Sequence, residues 1–323
     1  MKTPTLEVYL TPAESVDALR AEAREGLTAT PKWLSPKWFY DARGSELFEE
    51  ITALPEYYPT RTERGLLAQY ADEIAALTEP EILIELGSGS SEKTRLLLDA
   101  MTARGTLRTY VPQDVSVTAL EGAARQVGAE FPGIDVVGVV SDFTGSLHHL
   151  PGGGRRAVAF LGGTLGNLVP AERAEFLSGI AAVLDPGENL ILGVGLVIDP
   201  AVLVPAYDDA AGVTAQFNLN VLAVLNKQLG ANFPLEDFRH VALWDAENQW
   251  IEMRLEALRE LSVRIDELDL EITFAAGEQL RTEISAKFTE GGIAAELASA
   301  GFGVRQVWTD RDQRFALLCA QRA

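Results

Sequence analysis

The chain carries a single cysteine in 323 residues, Cys319, which leaves no disulfide framework and no cysteine-rich metal site open to it. Cys319 lies in the apolar run Phe315 to Ala320 and reads as a packed strand thiol. Long hydrophobic runs are also missing: none reaches the roughly 18 to 20 residues that a membrane-spanning helix needs. The opening segment Met1-Lys2-Thr3-Pro4-Thr5-Leu6-Glu7 lacks the apolar core of a secretory signal, so a reducing cytoplasm is the expected compartment. Positive charge is scarce. Lys and Arg number 27 against 47 Asp and Glu, a formal net charge of −20. The basic residues are dispersed, whereas a groove that grips a phosphate backbone needs them clustered. Nucleic acid is therefore disfavoured as a partner, and a small-molecule substrate taken by a monomer is expected. Histidine is rare too, and the adjacent pair His148-His149 has no ligand spacing near it, so no metal site is expected.

What is present begins at Glu81-Ile82-Leu83-Ile84-Glu85-Leu86-Gly87-Ser88-Gly89-Ser90-Ser91-Glu92-Lys93-Thr94. An apolar run of strand length stops at Gly87-Ser88-Gly89, and a helix-forming stretch from Glu92 to Met101 follows. Such a strand–glycine loop–helix unit brings backbone close to a nucleotide and aims helix N–H groups at it. The third glycine of a dinucleotide fingerprint would fall on Glu92, so that fingerprint is incomplete, and a nicotinamide-dependent oxidoreductase is disfavoured. A phosphate-binding loop needs Gly directly before the Lys, where Glu92 stands. A carboxylate there suits a ligand with no phosphate and a positive centre, such as S-adenosylmethionine.

From Arg64 to about Leu196 helix and strand alternate, with strands expected at Ile82–Leu86, Thr109–Asp114, Ile134–Ser141, Ala157–Leu161 and Asn189–Val194. Alternation of this kind means parallel strands with crossover helices on both faces. After Val197 a helix-rich stretch, Asp199 to Leu229, precedes strands at His240–Trp244, Trp250–Ala257, Leu261–Ile265 and Leu268–Phe274. A helix at Gly291–Ala300 and strands at Val304–Thr309 and Arg314–Ala320 close the chain. The expected fold is α/β: a doubly wound, seven-stranded class I methyltransferase sheet with its last strand antiparallel, at 64–196 and 287–323, and a second α+β substrate domain from 1–63 and 197–286. In the latter, an amphipathic helix is expected at Ala13–Leu27 and a short one at Gly44–Ile51. The segment Leu54 to Glu63, with Tyr57 and Tyr58 bracketed by prolines, reads as an irregular pocket wall or lid.

Asp114, at the end of the second strand, is placed to accept hydrogen bonds from ribose hydroxyls. Asp142-Phe143, at the end of the third, offers an amide acceptor and an aromatic face for adenine. Each alone is unremarkable, since an Asp after a strand often caps a helix; in register they point to an adenosyl ligand. Phe160-Leu161-Gly162-Gly163-Thr164-Leu165-Gly166-Asn167-Leu168 follows the fourth strand, where Asn167 supplies a donor and an acceptor. A helix cap or Asx turn is its competing role.

Further motifs run the length of the chain. Pro36-Lys37-Trp38-Phe39-Tyr40-Asp41, Gly44-Ser45-Glu46-Leu47-Phe48 and Leu54-Pro55-Glu56-Tyr57-Tyr58-Pro59-Thr60-Arg61-Thr62-Glu63 precede the glycine loop. Gly166-Asn167-Leu168, Ala206-Tyr207-Asp208-Asp209, Phe217-Asn218, Ile251-Glu252-Met253 and Glu283-Ile284-Ser285-Ala286-Lys287-Phe288 follow it. In order and spacing this series closely resembles the histidine-specific α-N-methyltransferases of ergothioneine biosynthesis, of the actinobacterial type.

The resemblance implies S-adenosylmethionine as methyl donor and N,N,N-trimethylhistidine, hercynine, as product. It implies that Asn167 and Tyr207 hold the substrate α-carboxylate and orient the amine, that Tyr57, Glu283 and Ser285 hold the imidazole, and that Met253 packs near the ring. Gly87, Lys93, Asp114, Asp142 and Phe143 fall on positions that bind the methyl donor. Tyr40, Phe48, Gly162 and Phe217 line the acceptor pocket, and Tyr40 or water is a candidate to relay the amine proton. A carboxylate and a hydroxyl two residues apart on a strand share one face, which suits the two nitrogens of an imidazole. One stretch departs from the family: Gly195 and Ile198 stand where an acidic residue and a Lys are usual. Competing readings are the same fold acting on another amino-acid α-amine, such as tryptophan, and a non-catalytic adenosyl-ligand sensor.

Overall fold

The computed structural model describes residues 4–145 and 147–323. Met1, Lys2 and Thr3, part of the segment in which no signal core was found, lie outside the described residues. Two compact units emerge: one holds the chain up to Thr11, Arg61–Leu196 and Phe288–Ala323, the other Pro12–Thr60 and Val197–Lys287.

The first unit is built on a sheet whose strands lie in the order Thr5–Val8, Asp135–Val140, Thr109–Asp114, Ile82–Leu86, Arg156–Phe160, Asn189–Gly195, Phe315–Arg322 and Phe302–Thr309. The first six run parallel, and Phe315–Arg322 runs antiparallel to both of its neighbours. Ile82–Leu86, Arg156–Phe160 and Asn189–Gly195 are buried along their whole length, as strands covered on both faces must be. Helices Arg95–Ala103, Val117–Glu130 and Pro170–Val183 make the crossovers. The core joins Leu83, Leu97, Tyr110, Val127, Ile191 and Leu317. Strand order reverses at Ile82–Leu86, which pairs with Thr109–Asp114 on one side and Arg156–Phe160 on the other. Its C-terminal end is thus the switch point, where ligands bind in open α/β sheets.

The sheet has eight strands, where seven were expected. The additional one, Thr5–Val8, pairs in parallel with Asp135–Val140, so these residues belong to the first unit and not with the substrate domain. Its mostly exposed four residues carry no apolar run that would announce a strand. The helix after the glycine loop begins at Arg95, later than Glu92, because Ser88 to Thr94 form a loop in which Ser91 has positive φ. The segment around Tyr57 is also more regular than expected: Tyr58 opens a helix that runs to Thr78. Pro59 in its first turn removes only an N–H that has no intrahelical acceptor. Cys319 is buried in its strand, and burial pushes its thiol up to about 12.

The second unit contains a four-stranded sheet ordered Lys32–Trp33, Gln279–Ala286, Trp250–Ala257, Phe238–Asp245, and a hairpin of Leu261–Ile265 with Leu270–Phe274. Helix Val213–Leu229 supplies Phe217, Val221 and Leu225 to a core shared with Leu19, Leu27, Ile251 and Leu255. The Gln279–Ala286 strand slips register against Trp250–Ala257 between Arg281 and Glu283. This bulge places Glu283 directly opposite Met253 and Ser285 opposite Ile251. No helix among the described residues is long and apolar enough to cross a membrane.

Candidate active site

In the first unit the chain turns sharply after Leu86, with φ of +66° at Gly87 and +50° at Gly89, a region that L side chains rarely occupy. Two side chains hold the turn. Gly87 N–H donates to Gln113 Oε1 at 3.1 Å, and Gly89 N–H donates to Asp114 Oδ2 at 2.9 Å. Asp114 Oδ1 receives Ser116 N–H at 2.9 Å, so each oxygen keeps acceptor capacity for a ribose hydroxyl. Burial raises the pKa of Asp114 and its backbone hydrogen bonds oppose that shift.

Beneath the turn, Glu85 is buried and accepts from Thr94 Oγ1 and Tyr110 Oη. Desolvation lifts its pKa to about 7 against those two hydrogen bonds. Asp142 folds back onto Thr144, whose N–H and hydroxyl lie 2.8 and 2.6 Å from Oδ1. The Phe143 ring packs edge-on to Phe160 and Phe176, and a β-carbon at Gly87 would lie 3.6 Å from it. Gly87, Asp114, Asp142 and Phe143 therefore gather at one end of the sheet. The open glycine turn, the two carboxylates and the aromatic face fit an adenosyl group.

Lys93 does not stand alone there. Its ammonium pairs with Glu63, a fully buried carboxylate that also receives Gly162 N–H at 2.8 and 3.0 Å. Gly162 thus sits beside Lys93 in the first unit. Asn167 ends a short 3-10 turn, Thr164–Asn167, after the Arg156–Phe160 strand. Glu63 closes the Leu54–Glu63 motif, and no local spacing announces its contact with a lysine thirty residues away.

The second unit brings together most of the residues expected at the acceptor. Tyr40 meets Phe48 and Phe217 at 5.6 and 5.5 Å between ring centroids, Phe48 meets Tyr57 at 6.2 Å, and Tyr57 meets Tyr207 at 6.2 Å. Asp41 fixes the start of this wall: it caps helix Ala42–Thr52 through Gly44 N–H at 2.8 Å and receives Asn220 Nδ2 at 2.8 Å. Gly44 has to be glycine, since a β-carbon there would fall 1.6 Å from Phe39 O.

Next to the wall, Tyr207 Oη and Ser285 Oγ lie 2.8 Å apart, and Lys287 Nζ donates to each at 2.8 Å. Lys287 belongs to the Glu283–Phe288 motif, and its place beside Tyr207 has no signal in the spacing. Glu283 is buried and makes no ion pair among the described residues. Desolvation raises its pKa to about 8, with Lys287 pulling the other way. Burial also raises the pKa of Tyr57 and Tyr207, and both sense the field of Glu283.

A polar network behind these groups fixes them. His240 Nε2 donates to Tyr207 O at 2.8 Å, and its Nδ1 accepts from Asn218 Nδ2 at 2.8 Å. Asn218 Oδ1 receives Thr282 Oγ1 at 2.6 Å, and that hydroxyl lies 3.0 Å from Met253 O. Thr282 is the residue at the bulge. Gly195 is buried and its carbonyl receives Phe288 N–H at 2.9 Å, while Ile198 packs on the second unit's core. No group of three or more His, Cys, Asp or Glu among the described residues is arranged to hold a metal ion; His149 instead stacks on Tyr9.

Residues 19–322 match a family model described as histidine-specific, SAM-dependent methyltransferase. The chain is 52% identical over 320 residues to the histidine N-alpha-methyltransferase of Mycolicibacterium smegmatis, spanning 99% of this chain and 100% of that protein. It is 50% identical over 305 residues to the histidine N-alpha-methyltransferase of Mycobacterium tuberculosis, spanning 94% of this chain and 95% of that one. Ergothioneine biosynthesis protein 1 of Neurospora crassa is 33% identical over 205 residues, 62% of this chain and 23% of that protein. The chain belongs to the histidine-specific, S-adenosylmethionine-dependent methyltransferases.

Proposed function

We propose that the chain moves methyl groups from S-adenosylmethionine to the α-amine of L-histidine until it is trimethylated, giving hercynine as in ergothioneine biosynthesis. The observation that carries the choice of acceptor is Glu283: a buried carboxyl group that makes no ion pair among the described residues, two residues from Ser285 and across from Met253. An imidazole supplies the N–H such a group lacks. In this reading Tyr57, Glu283 and Ser285 hold the ring and Met253 packs on it. Asn167 and Tyr207 hold the carboxylate. Phe48 and Phe217 exclude water, and Gly87, Lys93, Asp114, Asp142 and Phe143 hold the adenosyl donor, with Gly162 beside Lys93.

S-adenosylmethionine supplies an electrophilic methyl on a sulfonium. The protein's part is to align a neutral amine with that methyl and to exclude water. Alignment of this kind supplies about 7–11 kcal/mol in favourable intramolecular cases. Each methylation deletes an N–H, so recognition has to rest on contacts that persist through all steps, the carboxylate and the ring. The incoming α-ammonium has to lose a proton first, and Tyr40, 40% exposed at the edge of the aromatic wall, is the proposed relay. The net charge of −20 supports a small-molecule acceptor over nucleic acid, and a cytoplasmic monomer is part of the same reading.

Incubation with S-adenosylmethionine and each standard amino acid, followed by mass spectrometry, tests it. Trimethylhistidine as the product is expected. Methylation of tryptophan in its place would move the acceptor, and donor binding without any methylated product would leave a sensor.

A further inference from the structure

Lys287 is the last residue of the second unit and one of its most deeply enclosed cations, with 6% of its surface exposed. No carboxylate pairs with it among the described residues. Its ammonium instead donates to Tyr207 Oη and Ser285 Oγ, both at 2.8 Å, and lies 4.9 Å from the Tyr207 ring centroid. The two hydroxyls are themselves 2.8 Å apart. A closed triangle of this kind has a limited set of hydrogen placements. An ammonium has three hydrogens and no lone pair; each hydroxyl has one hydrogen and two lone pairs.

Lys287 fills one lone pair on each oxygen, and one hydroxyl donates to the other. The hydroxyl that receives has both lone pairs occupied, so its hydrogen has to point out of the triangle. The cluster therefore presents a hydroxyl that only donates, backed by a positive charge. Burial opposes that charge, while Glu283 and Tyr58 favour it.

We propose that Lys287 is a positioning residue for the amino-acid substrate, forcing the Tyr207–Ser285 pair to offer a hydrogen to an electron-rich group of that substrate. This rests on the functional reading above. Two groups of histidine have the required chemistry: the α-carboxylate and the unprotonated ring nitrogen. A buried ammonium that makes no ion pair among the described residues costs stability, so its presence is better explained by binding than by folding.

The test uses wild type and Lys287→Met, with calorimetric binding of histidine, of histamine (which lacks the carboxylate) and of S-adenosylhomocysteine, beside thermal melts. In Lys287→Met, histidine binding weakens about tenfold or more, as expected for loss of a charge-backed hydrogen bond. The S-adenosylhomocysteine Kd stays within about threefold and Tm is equal to or above wild type, as removal of a lone buried charge requires. Histamine binding unchanged between the two proteins assigns the donated hydrogen to the carboxylate; a matching loss assigns it to the ring. Lys287→Gln, which keeps a donor without the charge, shows a smaller loss and serves if the Met variant does not fold. Unchanged histidine binding in a folded variant, or equal losses for histidine and S-adenosylhomocysteine with a lowered Tm, overturns the role. Failure of wild type to methylate histidine overturns the functional reading itself, a result separable from either.

Discussion

A β-carbon at Gly193 would lie 2.1 Å from Oε1 of Glu63, so the Asn189–Gly195 strand accepts this carboxylate only by having no side chain at that position. Gly193→Ala has to expel Glu63 from Gly162 N–H and from Lys93. Overpacking of this kind costs about 1–3 kcal/mol, which predicts a clear fall in Tm. S-adenosylhomocysteine binding weakens with it, because Lys93 loses the partner that holds it. Unchanged melting and unchanged binding would mean that Glu63 relaxes freely.

Glu283→Ala is expected to weaken histidine far more than the methyl donor, and calorimetry on both ligands checks it; equal losses contradict the imidazole role. The same carboxyl shapes stability. Its folded pKa of about 8 lies above the ordinary carboxylate value of 4.5, so the folded protein holds a proton that the unfolded chain has lost between those pH values. Stability contributed by this group therefore falls as pH rises from 4.5 to 8 and is flat beyond. Glu283→Gln removes that penalty: its ligand-free Tm exceeds wild type at pH 9 by several degrees and converges with it toward pH 4.5.

Asn218→Ala strips the partner from His240 Nδ1 and a donor from Arg254 O, and leaves the Thr282 hydroxyl with Met253 O alone. Each buried group left without a partner costs about 1–3 kcal/mol. The KM for histidine should rise more than the KM for S-adenosylmethionine, since the network holds Tyr207 O and the bulge before Glu283. Steady-state kinetics on both substrates decides it.

Asp114→Asn keeps one acceptor oxygen where the carboxylate has two, each already receiving a backbone N–H. Either Gly89 or Ser116 then faces an NH2 group. Binding of S-adenosylhomocysteine should weaken about tenfold or more, with histidine specificity unaltered in competition assays.

Tyr40→Phe keeps the ring contacts to Phe48 and Phe217 and removes only the hydroxyl. The pH–rate profile should lose its dependence on this group, with kcat falling more than tenfold if it relays the amine proton. A profile identical to wild type removes Tyr40 from the relay.

The pattern of apolar runs made much of the first unit readable. Ile82–Leu86 and Thr109–Asp114 have the bounds expected of them, because each carries a buried apolar stretch that ends at a glycine or an acid. Thr5–Val8 went unread for the opposite reason: a four-residue, mostly exposed edge strand has neither run nor strong alternation. At the acceptor, Glu283 and Ser285 were legible as a same-face pair, whereas the register slip at Thr282 depends on the partner strand. The bond between Lys287 and Tyr207 joins residues eighty apart, and the Glu63–Lys93–Gly162 cluster likewise depends on topology. Spacing along the chain encodes faces of elements. It does not encode which faces meet.

The chain passes between its two units at Thr11/Pro12, Thr60/Arg61, Leu196/Val197 and Lys287/Phe288. Neither unit is therefore a contiguous stretch of gene, and no single cut releases one intact. Apart from Asn167, which lies in the first unit, the residues proposed at the acceptor are divided between the two pieces of the second, Tyr40, Phe48 and Tyr57 on 12–60 and Tyr207, Phe217, Met253, Glu283 and Ser285 on 197–287. Recombination at one crossover would inherit half a recognition surface. Exchanging the amino acid accepted by such an enzyme calls for a paired graft, 12–60 together with 197–287, or for point changes within both pieces.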